Sequence, residues 1–133
     1  MPNRKVTVRA ISDDAGQIDF ELDGVKAKHA RMKLDPASGA HDIDFHLEDH
    51  SGKGLKFHAD DPMWVGENCP CPPAQGMNSD QITVKECNPH KLSTVNANSG
   101  DARELRYQLN FKANDGSIQT CDPIMENGGS NLL

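Results

Sequence analysis

Over residues 105–111 every second side chain is apolar, and this pattern restricts the fold more than any other in the chain. Leu105, Tyr107, Leu109 and Phe111 alternate with Arg106, Gln108 and Asn110. An extended backbone sends successive side chains to opposite faces, so the four apolar groups share one side and the polar three share the other. Asn114-Asp115-Gly116 then supplies turn residues, and Ile118 restarts the alternation towards Cys121 and Pro123. The segment predicts a half-buried hairpin. A helix over residues 102–109 is the rival, because Asp101-Ala102-Arg103-Glu104 has capping-box spacing and Leu105 and Leu109 are four apart. It would splay Tyr107 away from Phe111, so four matches to a period of two favour the strand.

The same period recurs along the chain. Val6, Val8 and Ala10 alternate ahead of a polar turn at residues 12–16, and Ile18, Phe20 and Leu22 alternate ahead of Asp23-Gly24, which fits a two-residue type I′ loop returning at Val25. Met32 and Leu34 extend that arm past an irregularity at His29-Ala30, and Asp35-Pro36-Ala37-Ser38-Gly39 reads as a turn. Ile43, Phe45 and Leu47 then alternate with Asp44, His46 and Glu48. After Gly52 and Gly54, Leu55 and Phe57 read as the returning arm of a second hairpin, with Leu47 opposite either Phe57 or Leu55. Ile82 with Val84, and Leu92 with its neighbours to Val95, add further strands. About seven to nine short strands without a persuasive helix predict an all-β fold, an antiparallel two-sheet sandwich of immunoglobulin-like type. Residues 1–129 read as one domain and 130–133 as a flexible tail, with fraying from Glu126 onward unless a partner pins it.

Composition narrows the function classes. Only 35% of the 133 residues are hydrophobic, with four Phe, one Tyr and one Trp, so the core is expected to be small or shared between subunits, which favours a homo-oligomer. Fourteen Lys and Arg against 20 Asp and Glu give a formal charge of −6 without a basic run, which argues against nucleic-acid binding. Neither a signal peptide nor a transmembrane segment is read, so no membrane role is expected and the expected location is cytoplasmic. The four cysteines, Cys69, Cys71, Cys87 and Cys121, are then expected as free thiols, although two disulfides would be the reading for a secreted chain.

Leu92-Ser93-Thr94-Val95-Asn96-Ala97-Asn98, the alternation over residues 105–111 and the ending Asp122-Pro123-Ile124-Met125-Glu126-Asn127-Gly128 resemble a small set of bacterial proteins called the DP-EP family. The resemblance spans roughly residues 80–129. It implies a compact β fold and brings no known activity, so no functional residue follows from it.

Three constellations could carry a function. Cys69-Pro70-Cys71 with Cys87-Asn88-Pro89-His90 offers thiolates and an imidazole, which zinc prefers, although one residue between the first two cysteines is short for a tetrahedral site. Incidental thiols, or a disulfide such as Cys69 or Cys71 with Cys87 or Cys121, are the alternatives. On the middle hairpin, His46 with His58, or Asp44 with His58, could face each other across strands, more often as a solvated face than as a metal site. The third constellation is residues 60–79, with Pro62, Pro70, Pro72 and Pro73 and the lone Trp64. Long irregular segments on regular scaffolds carry function disproportionately. Trp64, Met63 and Asp61 are its predicted contact residues for an unknown protein or small ligand. The chain has no nucleophile elbow, Walker loop or dinucleotide fingerprint, and no complete catalytic motif. The sequence therefore reads as a non-enzymatic binding or assembly module without a cofactor, the alternative being a zinc protein, and so potentially an enzyme, built on the Cys/His set.

Overall fold

The structure is a computed structural model in which residues 1–130 are described. In chain order the strands are β1 (Asn3–Ser12), β2 (Ile18–Leu22), β3 (Val25–Lys26), β4 (Arg31–Leu34), β5 (His41–His50), β6 (Lys56–Phe57) and β7 (Met63–Glu67). There follow β8 (Met77–Asn78), β9 (Ile82–Asn88), β10 (Lys91–Asn96), β11 (Arg103–Lys112), β12 (Ile118–Cys121) and β13 (Ile124–Asn127). One sheet has the order β3-β2-β1-β5-β10-β9. The other has the order β4-β13-β11-β7-β8, with β12 and β6 also paired to β11.

The alternating stretch at residues 105–111 is a strand, and it is the hub of the second sheet. Along one side β11 pairs with β13 and then with β12; along the other it pairs with β7 and then with β6. Its turn closes as its residues predict: Ala113 N donates to Ser117 O at 2.9 Å, and Asp115 Oδ1 accepts from Ser117 N at 2.9 Å. The apolar face of β11 meets the other sheet through aromatic pairs. Phe111 stacks on Phe20 with ring centroids 5.0 Å apart, and Tyr107 tilts against Phe45 at 5.7 Å. Val8, Ala10, Ile43, Leu92, Leu105 and Leu109 fill the space between, so both sheets contribute to one core.

Several expectations need correction. The sheets are mixed rather than purely antiparallel, because β1–β5, β13–β4 and β7–β8 all run parallel. The Asp23-Gly24 loop does close a hairpin, with φ of 49° and 84° and Leu22 opposite Val25. Its return arm then breaks at a 3-10 turn, Ala27–His29, and the chain crosses so that β4 pairs in the other sheet. The middle hairpin does not form. β5 lies between β1 and β10, whereas β6 pairs with β11 in the opposite sheet. The crossing is fixed by Asp49, whose carboxylate accepts from Ser51 N at 2.9 Å and from Leu55 N at 2.8 Å, so the chain turns out of the sheet instead of back along it. His46 therefore pairs with Thr7 and Lys91, and the expected neighbours on the β6 arm lie in the other sheet.

The end of the chain is paired and hydrogen-bonded within the described residues. β13 is held on both sides, and Asn127 and Asn96 exchange side-chain hydrogen bonds at 2.7 and 2.8 Å. Asn98 extends this buried set, donating from Nδ2 towards Asp35 O, Ser38 Oγ and Gly39 O while its Oδ1 accepts from Gly129 N. Ser130 N donates to Gly100 O at 2.9 Å; the remainder of the predicted tail, residues 131–133, lies outside the described residues.

Candidate functional site

Residues 60–79 are more ordered than their prolines suggest. β7 occupies their middle, with Met63 and Val65 turned into the core and Trp64 turned out opposite Gln108. Met63 is 2% exposed, so its predicted contact role fails for lack of access. Asp61 and Trp64 do sit together: the Trp64 indole Nε1 donates to Asp61 Oδ2 at 2.8 Å, which fixes the ring half-buried on the outer face of the second sheet. Beneath them Asn110 donates to Asp61 O at 2.9 Å and accepts from Gln108 Nε2 at 2.6 Å, and both amides are buried. Gln108 and Asn110 on the polar face of β11 are thus hydrogen-bonded and buried instead of facing water.

The proline stretch then folds back over β7. Gly66 makes this close approach possible, because a Cβ there would stand 2.6 Å from Cys69 Sγ and 3.4 Å from a Pro73 carbon. The Cys71-Pro72 peptide bond is cis, and Val65 N accepts the returning chain by donating to Gly76 O at 3.0 Å. Among the described residues β8 forms the end of the sheet, paired only with β7 and carrying Met77, which is 40% exposed.

The zinc constellation is not assembled. Cys87 and His90 belong to the β9–β10 hairpin at the far edge of the first sheet, whereas Cys69 and Cys71 follow β7 in the second. Among the described residues no group of three or more His, Cys, Asp or Glu side chains is placed to hold a metal ion. The four cysteines are free thiols in the structure, Cys71 exposed and Cys121 buried. Burial pushes the Cys121 thiol far above its ordinary range and raises that of Cys87.

Two clefts flank the second sheet, and sequence reasoning found neither. One, of about 490 Å³, brings Cys71 of the proline stretch beside Lys26, Lys28, Arg106, Cys121 and Asp122. Burial raises the Asp122 carboxyl above its ordinary value, and its Oδ1 is buried without a hydrogen-bond partner. Arg106 Nε is 3.1 Å from Glu104 Oε1, close enough for an ion pair but without hydrogen-bond geometry. The other, of about 350 Å³, lies between β1 and β4 over Tyr107. The signal for both was available only as separate residues, since their walls come from segments that the sequence does not show to be adjacent.

No protein-family model matches the chain, and no curated protein matches it. Among the described residues no helix is long and apolar enough to cross a membrane.

Proposed function

We propose that this protein is a non-enzymatic binding module that assembles with copies of itself through the segment at residues 60–79. The observation carrying the proposal is that this segment supplies the strands, β7 and β8, that end the second sheet on one side. Trp64 is left half-exposed and Met77 exposed beside a short strand with one unpaired edge. Terminal strands offer free backbone donors and acceptors to another chain, and aromatic and Met side chains are enriched where proteins meet. The Asp61 hydrogen bond supports the same reading, because a ring held in one orientation loses little freedom on contact. The finer architecture belongs to this proposal too: an immunoglobulin-like sandwich in the broad sense of two facing sheets, with the contact face on one of them.

The likeness to the DP-EP family is proposed as one of scaffold. Asn96, Asn98 and Asn127, which lie within the stretches that carry it, are buried in the amide network.

Sedimentation over a range of concentrations tests the assembly reading. The wild type is expected to associate, and Trp64→Ala and Met77→Glu to weaken association by about tenfold or more each, as central interface residues do. A wild type that stays monomeric throughout, or variants that associate as the wild type does, would overturn it.

A further inference from the structure

The cleft between β1 and β4 has the attributes of a ligand site. Its volume of about 350 Å³ lies within the range of about 300–1,000 Å³ typical of small-molecule pockets. Val6, Leu22, Val25 and Met32 give it apolar walls, and Tyr107 lies at its floor. Tyr107 is 2% exposed; its hydroxyl makes no hydrogen bond among the described residues and is not among the side-chain atoms sealed from solvent without a partner, so it keeps access to the cleft that it lines. A phenol that reaches the cleft without a protein partner is a donor open to whatever enters it.

The mouth is cationic. Arg4, Lys5, Arg31 and Lys33 line it against the one carboxylate of Asp23, which accepts the Thr7 backbone N–H at 2.8 Å. Arg31 is neutralised by Glu126 at 2.6 Å and Glu104 at 3.5 Å, and Lys33 is 3.8 Å from Glu126. Arg4 has no ion-pair partner among the described residues; its Nη2 donates to Lys33 O at 3.0 Å, which fixes the guanidinium across the opening between the two sheets. A planar fork of donors held in this way suits a carboxylate.

We propose that this cleft binds a small organic acid, its carboxylate at Arg4, its body against Val6, Leu22 and Met32, and a hydroxyl or carbonyl oxygen at its far end accepting from Tyr107. The site does not depend on the assembly reading, since none of these residues lies in the segment at 60–79.

The probe is 4-hydroxybenzoate, compared with benzoate, which lacks the far oxygen, and 4-hydroxybenzyl alcohol, which lacks the charge. Tyr107 is the only tyrosine, so 13Cζ-tyrosine labelling gives a single reporter signal. It should shift saturably with 4-hydroxybenzoate, and each comparison compound should bind about tenfold more weakly, the fold-change of one lost charge-assisted or neutral hydrogen bond. By calorimetry Tyr107→Phe, which keeps the ring, should weaken 4-hydroxybenzoate but leave benzoate unchanged. Arg4→Gln should weaken both acids, and Trp64→Ala neither. No saturable shift at millimolar probe, an alcohol that binds as tightly as the acid, or a Tyr107→Phe variant with undiminished affinity would each overturn the proposal.

Discussion

Asparagine rather than a hydrocarbon joins the two sheets at one end of the molecule. The Asn96–Asn127 pair exchanges two hydrogen bonds out of contact with water, so each amide is satisfied by the other and truncating either would strand its partner. Asp122 is the opposite case, a carboxylate with a buried oxygen and no partner. In the unfolded chain it titrates near about 3.9. Burial raises it in the fold, so the folded state holds the proton more tightly. That contribution favours the fold fully below the unfolded value and is lost as pH rises through the folded one, leaving a partly desolvated charge at neutral pH. Asp122→Asn should therefore be more stable than the wild type at pH 7, with the gain shrinking as the pH approaches 4. Urea denaturation at the two pH values measures it, and a gain that grows on acidification would contradict the assignment.

At the scale of the element, β11 carries the largest share of the core and was the most legible part of the sequence. Phe111 is fully buried between Phe20 and Phe57, at centroid distances of 5.0 and 4.8 Å. Removing its ring should cost about 3–5 kcal/mol, whereas Ile118→Ala on the exposed side of the paired strand should stay within about 0.5 kcal/mol. Thermal unfolding of both variants tests this, and comparable losses would mean that β11 is not the hub. A period of two identifies such strands because it is local. It does not identify their partners. Leu55 and Phe57 were legible as buried but were assigned to the wrong sheet, because the Asp49 side chain that redirects the chain looks in sequence like any other turn residue. β7 went unread since Met63 and Val65 give only two matches to the period amid prolines, and Trp64, the predicted contact, proved to be on a strand rather than a loop. The Tyr107 cleft was not legible at all: Arg4 and Lys33 meet there only because β4 changes sheet.

For the molecule as a whole, the parallel pairs make the last strand a closing element. Among the described residues the only ladder partner of β4 is β13, and β13 also pairs with β11, so one four-residue strand attaches an early segment to the hub of its sheet. Met125 is fully buried and Ile124 nearly so, worth about 1.5–3 kcal/mol each by transfer. Asn127 adds the amide pair that reaches the first sheet. Gly128 and Gly129 seal the end, where a Cβ on either would collide with backbone at Pro36 or Gly100. Together these losses approach the about 5–15 kcal/mol that holds a typical domain folded. A chain ending at Pro123 is therefore expected to lose its cooperative unfolding transition and the near-ultraviolet dichroism of Tyr107 and Trp64, whereas Met125→Ala alone should lower the midpoint but keep the transition. If the truncated chain still melted cooperatively with native dichroism, β4 and β11 would be held by the core alone. The parallel ladder would then follow from the fold rather than close it.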